Sequence, residues 1–454
     1  MISGRAVDRM LGRRICTASV VTLGCKLNQA ESYRLQVDLA QAGVDLLPFG
    51  QPVDLSIVNT CTITHVADQQ ARQMLRRARR ISPDGCVVAM GCYAQIAPDE
   101  VAAIEGVDMV VTAEKERLVA QLQSAGMMLG DGSDGVNGNI GPDHLHPLPE
   151  TRVRRFVKIQ DGCDDYCTYC IVPFARGHSI SRPSEAIVAE VRELEADGCR
   201  EVVLTGVQIG AYGRDRYRFR EADLPPPGRP LGSLVQRLLA ETTIPRIRIS
   251  SIQPQDWPQD FLDLFQDARL CRHLHLPLQA GCDATLRRMS RRYTTDDFAQ
   301  LVERIRVALP DVAITGDMIV GFPGETEEQH AESLRFARAI GFADLHVFRY
   351  SPRRGTAASR MAGQVNPDTK KHRSEELRAL AEESAHVFRG QFLGSRHQVL
   401  WEEQLPAADG PPRWTGLTGN YLRVVRASAE DLLGRETDET LAHLRDGVFG
   451  PEAR

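Results

Sequence analysis

Over the first ~125 residues, short β-branched apolar runs alternate with stretches whose apolar positions recur at helical spacing. Strand candidates fall at 18–24 (ASVVTLG), 54–60 (DLSIVNT) and 86–91 (CVVAMG), with helical patterns at 28–42 and 65–80 between them. This alternation predicts a doubly wound parallel sheet, an N-terminal α/β domain over 15–125. The second helical pattern carries Arg72, Arg76, Arg77, Arg79 and Arg80 on its polar side, either a solvated face or a contact for phosphate. Residues 126–151, crowded with Gly, Asp and Pro, read as a linker. A second βα alternation follows over 152–385, with strand candidates at 156–161, 201–205, 246–251, 272–277, 313–320 and 343–349. Six such units predict an open or partial βα barrel, with its chemistry at the carboxyl ends of the strands. The stretch 214–230, ending in LPPPGRP, reads as an insertion. Beyond 386 the pattern turns to short alternating strands with Gly-rich turns, which predicts a small β-barrel over 386–450.

A chain of 454 residues has room for several such cores, and its 42% apolar and 25% charged content is that of a globular protein. No run of about 18 apolar residues occurs, so no membrane-spanning helix is expected. The N-terminus offers an Arg pair and a short apolar stretch, but Cys16, Thr17 and Ser19 break that stretch and no cleavage site follows; a cytoplasmic protein is expected. With 55 Lys and Arg against 60 Asp and Glu, the net charge is −5, so a nucleic-acid surface has to be a local basic patch. Eleven cysteines are too dilute for a disulfide framework and odd in number, which points to thiol or metal chemistry in a reducing compartment.

Cys163, Cys167 and Cys170 form C-x3-C-x2-C in VKIQDGCDDYCTYC, directly after the first strand of the second domain. Three thiolates on a short loop can hold three irons of a 4Fe–4S cluster and leave the fourth open to a ligand. A zinc loop or three incidental cysteines is the plainer alternative. Cys25, Cys61 and Cys92 each lie just past a strand of the first domain, in TLGC, VNTC and AMGC. If those strands are parallel the three thiols converge at one sheet edge; otherwise they pack as small hydrophobes.

The segment DGCDDYCTYCIVPFARG resembles the radical S-adenosylmethionine (SAM) signature, and GCKLNQAES, NTCTIT and GCYAQ resemble the N-terminal domain of the radical SAM methylthiotransferase family. LTGVQIGAYG, RISSIQP, HLPLQAGCD, DMIVGFPGETEE and FRYSPRRGTAA extend the likeness through the second domain, and GLTGNYLRVV is similar to the small RNA-binding TRAM barrel. The resemblance implies a SAM-binding 4Fe–4S cluster on Cys163, Cys167 and Cys170 and an auxiliary 4Fe–4S cluster on Cys25, Cys61 and Cys92. It places Thr205 and Gly206 at the SAM amino group, and Ser250, Ser251, Gln279 and Asp317 at strand ends facing the same cavity, where each could instead be an ordinary hydrogen bond of a barrel rim. Arg176 and Arg182 are candidates for substrate phosphate or plain surface arginines. Tyr421 and Arg423, with Trp401, Trp414 and Arg426, are candidates for RNA contact or core packing. The sequence departs from the family's usual pattern at Ala280, Cys282 and Ile180, and Cys16, Cys86, Cys199, Cys271 and Cys282 read as packing residues.

The family's subgroups modify isopentenyl-adenosine in tRNA, threonylcarbamoyl-adenosine in tRNA, or an aspartate of a ribosomal protein. GCK with Asn28 and Glu31, then NTCTIT, resembles the threonylcarbamoyl type; the isopentenyl type more often has GCQMN and an Arg where this chain has Thr64. The resemblance therefore implies methylthiolation of carbon 2 of N6-threonylcarbamoyladenosine at tRNA position 37. One SAM would be the methyl source and a second the radical source. The implied partners are the tRNA anticodon loop and an electron donor such as flavodoxin or ferredoxin, with no membrane. Modification of isopentenyl-adenosine or of the ribosomal protein, and a non-catalytic Fe–S RNA-binding or redox-sensing protein, are the competing readings.

Overall fold

A computed structural model describes residues 12–112, 115–130, 153–217, 229–258, 260–406 and 410–451. Most of the expected linker (126–151) and of the expected insertion (214–230) lies outside the described residues. The chain divides into two units, residues 1–149 with 170–178, and residues 150–169 with 179–454.

The first unit runs β1 (Thr17–Thr22), α1 (Lys26–Gln41), β2 (Asp45–Leu46), β3 (Leu55–Thr60), α2 (His65–Ile81), β4 (Cys86–Gly91), α3 (Cys92–Ile96) and β5 (Met109–Val110). The strands pair in parallel in the order β2-β1-β3-β4-β5. Both β3 and β4 are buried along their whole length, as strands covered on two faces must be. Alternate residues feed two cores, Ile57 and Val88 packing with Leu35 and Leu39 on one face, Val58 and Val87 with Leu75 and Tyr93 on the other. The doubly wound sheet expected from the sequence is present, its three main strands within two residues of their expected bounds. The Arg series on α2 is only in part a solvated face. Arg79 donates to the carbonyls of Pro83 (2.8 Å), Gly85 (2.7 Å) and Gly106 (2.9 Å) and pairs with Asp108, and Arg72 donates to the Tyr93 hydroxyl at 2.9 Å.

The second unit contains β6 (Arg154–Lys158), α4 (Ser184–Ala196), β7 (Glu201–Thr205), α5 (Arg229–Glu241), β8 (Arg246–Ile249), β9 (His273–His275), α6 (Thr295–Ala308), β10 (Ala313–Val320), α7 (Glu327–Ile340), β11 (Asp344–Arg349) and α8 (Pro367–Gly390). Parallel pairing gives β6-β7-β8 and β9-β10-β11, and the bridges Ile247↔Leu270 and Ser251↔His275 carry the sheet from β8 to β9. No pairing joins β6 to β11 among the described residues, so this is the open six-stranded barrel the sequence predicts. Period-two alternation separates an apolar set (Val202, Leu204, Ile247, Ile249, Leu274, Ile314) from a polar set on the opposite face (Glu201, Arg246, Arg248, His273, His275, Thr315, Asp317). Helices cover the apolar face; α6 and α7 start at capping boxes, Thr294 with Asp297 and Thr326 with Gln329, which satisfy first-turn amides.

Strands β12 (Arg396–Leu405), β13 (Arg413–Thr418), β14 (Arg423–Ala427), β15 (Glu436–Arg445) and β16 (Val448–Pro451) close a barrel in the order β12-β13-β14-β16-β15. Its core is Val399, Trp401, Trp414, Leu422, Val424, Leu441 and Phe449. Arg246 of the partial barrel donates to the carbonyls of Leu417 (2.8 Å) and Gln398 (3.0 Å), and Arg248 donates to that of Gly419 (3.0 Å), so the two barrels share polar contacts. Among the described residues no helix is long and apolar enough to cross a membrane.

Candidate cluster-binding sites

The in-register parallel pairing of β1, β3 and β4 brings their carboxyl ends to one edge of the sheet, where Thr22 faces Asn59 and Thr60 faces Gly91. Cys25 is the N-cap of α1, Cys61 directly follows β3, and Cys92 opens α3. Two glycines let the chain close up there. Gly24 has φ +99°, and a Cβ on it would lie 2.7 Å from the Cys61 Cβ and 2.8 Å from its Sγ. Gly91 has φ +95°, and a Cβ on it would lie 2.4 Å from the Thr60 carbonyl oxygen. Burial pushes the Cys61 thiol up to about 11, and the neighbouring Cys92 and Cys25 push it further in the same direction. Burial also raises Cys92. Buried thiols at Cys61 and Cys92 that resist ionisation, with Cys25 at the same sheet edge, become a favourable donor set once metal charge replaces their protons, so these residues fit a cluster held by three cysteines. Cys25 is exposed and the other two are buried.

Asn28 and Glu31 frame this edge. Asn28 donates to the Leu23 (2.7 Å) and Thr60 (3.2 Å) carbonyls, and its own carbonyl accepts from the Asn59 side chain at 3.0 Å. The short helix Val172–Arg176 belongs to the same unit, and Arg176 donates to Glu31 at 2.8 Å and to the Asn28 side chain at 2.6 Å. Side chains of the Arg176–Glu31 pair are 3% and 4% exposed. Arg176, read from the sequence as a candidate for RNA phosphate, thus has its charge consumed inside the protein, beside Cys92, whose ionised form it favours.

In the second unit Cys163 and Cys167 lie on the loop after β6; Cys170, three residues further along the chain, opens the 170–178 segment of the first unit. Asp165 N–H donates to Cys163 Sγ at 3.5 Å, the Cys163 thiol lies 3.1 Å from Gln208 Oε1, and burial pushes that thiol up to about 12. Arg291 is a residue at this loop that the sequence reading did not single out. It is buried, donates to Cys167 Sγ at 3.2 Å and to the Tyr293 hydroxyl at 3.2 Å, and bonds the Gln253 side chain. Nothing in RRMSRRY marks this arginine apart from its neighbours. A buried cation on a cysteine sulfur suits a thiolate that carries negative charge when it holds metal.

The residues assigned to SAM lie at or just past the carboxyl ends of the strands, except Asp317, which was expected at a strand end and instead sits inside β10, paired with His346. Thr205 ends β7 buried, and Gly206 packs against Gln160. Ser250 follows β8 and its buried hydroxyl has no hydrogen-bond partner among the described residues, as a ligand contact would leave it. Ser251 bridges to His275. Gln279 has φ +67° and is fixed by donation of its N–H to the Asp317 carbonyl (2.7 Å). The Asp317 side chain has its two oxygens on His275 (3.2 Å) and His346 (3.1 Å), so it is taken up by these imidazoles instead of facing SAM as expected. Burial alone would raise its pKa, but the two imidazoles outweigh that and hold the carboxyl well below the usual range.

The proposed RNA contacts fare unevenly. Trp401 and Trp414 are core residues, their indole N–H groups donating to Thr437 Oγ1 (2.7 Å) and the Ser428 carbonyl (3.3 Å). Tyr421 stacks on His273 at 4.4 Å with the Arg248 guanidinium 4.8 Å from its ring centroid, and the residue is exposed. Arg182 donates to the Lys158 carbonyl (2.7 Å) and pairs with Glu190 (2.6 Å), and Arg426 pairs with the buried Glu439 (2.7 Å). Arg423 is exposed, donating to Thr415 Oγ1 at 3.2 Å.

Residues 157–337 match the Radical SAM superfamily, and residues 17–112 match the Uncharacterized protein family UPF0004. The chain is 36% identical to the Threonylcarbamoyladenosine tRNA methylthiotransferase MtaB of Bacillus subtilis over 93% of this chain and 92% of that one. It is 35% identical to the protein of the same name from Thermotoga maritima (85% and 86% covered). It is 32% identical to the tRNA-2-methylthio-N(6)-dimethylallyladenosine synthase of Novosphingobium aromaticivorans (92% and 93% covered). Among solved structures, the radical SAM methyltransferase TsrM from Kitasatospora setae aligns over 76% of this chain and 77% of its own with a TM-score of 0.51 and 18% identity, a likeness of fold.

Proposed function

The chain belongs to the radical SAM methylthiotransferases, and from that premise we propose that it methylthiolates carbon 2 of N6-threonylcarbamoyladenosine at tRNA position 37. The observation that carries this reading is the presence of two separate cysteine sets in one chain, Cys25, Cys61 and Cys92 at a sheet edge, and Cys163, Cys167 and Cys170 beginning on the loop after β6. The similarity to relatives of the threonylcarbamoyl type and the GCK and NTCTIT motifs favour that base over its dimethylallyl counterpart. When bound, two 4Fe–4S clusters and SAM supply the radical that opens the C–H bond, together with the sulfur and methyl of the new group.

The protein's own part is positioning. Cys163, Cys167 and Cys170 would hold the cluster that leaves an iron open to SAM, and Arg291 steadies the Cys167 sulfur. Thr205, Gly206, Ser250, Ser251 and Gln279 would contact SAM from the strand ends, Ser250 through its unpartnered hydroxyl. Cys25, Cys61 and Cys92 would hold the auxiliary cluster, with Asn28, Glu31 and Arg176 fixing the backbone that bears them. Arg423 is a candidate RNA contact, and the anticodon loop, where a base is splayed out at low cost, suits such a site. The test is a split between two variants of the reconstituted protein under anaerobic reduction. Cys167→Ala abolishes SAM cleavage; Cys61→Ala retains cleavage and makes no methylthio product. A Cys61→Ala protein that still makes that product refutes the two-set assignment.

A further inference from the structure

Asp317 on the inner, polar face of the partial barrel, expected at SAM, is instead the centre of a side-chain cluster with two histidines. Register sets His275 opposite Thr315 and Asp317 opposite His346, so three neighbouring strands, β9, β10 and β11, bring these side chains together. His275 Nε2 is 3.2 Å from one Asp317 oxygen and His346 Nδ1 is 3.1 Å from the other. Thr315 Oγ1 lies 3.0 Å from His275 Nδ1 and fixes that ring. Exposure rises along the row, from 13% at His275 through 26% at Asp317 to 58% at His346, whose Nε2 lies 4.0 Å from Asp344. The helix-covered face of β11 carries the buried Leu345, so His346 stands on the open side of the sheet.

Resting on the substrate reading above, we propose that His275, Asp317 and His346 form the subsite for the substituent on the N6 atom of the substrate base, and that His346 sets its polarity. A threonylcarbamoyl group presents a ureido unit, a hydroxyl and a carboxylate. His346 presents its Nε2 edge to the oxygens of that group, His275, with both ring nitrogens engaged by Asp317 and Thr315, holds the Asp317 carboxylate in place, and Asp317 and Asp344 offer acceptors for the N–H and O–H groups of the substituent. A dimethylallyl group placed here would strip water from His346 and Asp317 and return no hydrogen bond, the situation in which a polar site rejects an apolar analogue most strongly.

The test uses cluster-loaded full-length protein with SAM and three anticodon stem-loops of one sequence, bearing threonylcarbamoyladenosine, dimethylallyladenosine or plain adenosine at the target position. Fluorescence anisotropy under anaerobic conditions reads the affinities; iron content and thermal melting check that each variant is intact. The intact protein is expected to favour the threonylcarbamoyl loop over both others by at least about tenfold. His346→Phe and His275→Gln are each expected to lose that preference with plain-adenosine binding unchanged, and His346→Gln, which keeps a donor, to retain part of it. If the intact protein shows the preference and both His346→Phe and His275→Gln keep it, the subsite is refuted while the substrate reading stands. If the intact protein prefers no loop, or the dimethylallyl one, both readings fall. The three ligand atoms lie within 4.8 Å of one another, so stoichiometric zinc that disappears in His346→Phe would assign the triad to a cation and overturn the proposal.

Discussion

Glu201 is wholly buried on β7, and its carboxylate accepts from Arg248 Nε at 2.7 Å and Nη2 at 3.1 Å, with Arg246 at 3.9 Å. Burial opposes its ionisation, but the Arg248 guanidinium, aided by Arg154 and Arg246, outweighs burial and lowers the carboxyl from 4.5 to about 2. Glu201→Gln leaves Arg248 charged and buried without a counter-ion, which costs about 3–5 kcal/mol. The lowered pKa leads to a similar size, about 3 kcal/mol, at 1.36 kcal/mol for each unit. The sign follows from the direction. A carboxyl whose folded pKa is depressed contributes stability that is present above pH 4.5 and lost as pH falls toward 2. Arg246 and Arg248 also donate to the β12–β14 barrel, so the variant loosens that barrel as well. Urea unfolding followed by tryptophan fluorescence reads both parts, Trp257 in the partial barrel and Trp401 and Trp414 in the small one. The expected result is a lower midpoint at pH 7 and a weaker dependence of stability on pH between 4.5 and 2. Replacing the pair together, Glu201→Leu with Arg248→Met, should cost less than Glu201→Gln alone. An unfolding free energy for Glu201→Gln within about 0.5 kcal/mol of the parent would refute this account, since that is the scale of an ordinary surface substitution.

Two further outcomes follow from the cysteine sites. Arg291→Met removes the guanidinium from Cys167 Sγ and should make the SAM-binding cluster harder to reduce, read as a more negative midpoint in potentiometry followed by electron paramagnetic resonance; an unchanged potential would reduce Arg291 to a packing role. Gly91→Ala has no room against Thr60 and should lower the iron held per chain by about half, through loss of the set that includes Cys92, with the C-x3-C-x2-C loop still loaded; full iron content would contradict the close-approach argument.

The sheet and the partial barrel were legible because parallel strands buried on both faces leave unbroken β-branched runs, as in LSIVNT and CVVAMG. The edge cysteines were legible for the same reason: each follows such a run, and parallel register does the rest. Side-chain commitments made across long stretches of sequence were not. Arg176 looks like a free loop arginine until its partner Glu31, 145 residues earlier, is found beside it. Trp401 and Trp414 share the composition of an RNA-stacking surface, but whether an aromatic ring packs inward is decided by barrel closure, which local periodicity does not carry. Arg291 and the His275–Asp317–His346 row were hidden for a related reason, since strand register and loop packing assemble them from segments that each look ordinary.

The most direct measurement is mass spectrometry of tRNA nucleosides from cells lacking this gene, rescued by the intact chain or by Cys163→Ala. The account predicts that methylthio-threonylcarbamoyladenosine disappears on deletion, leaving its unthiolated precursor, and returns only with the intact chain. Persistence of that nucleoside in the deletion, or its return with Cys163→Ala, would contradict it.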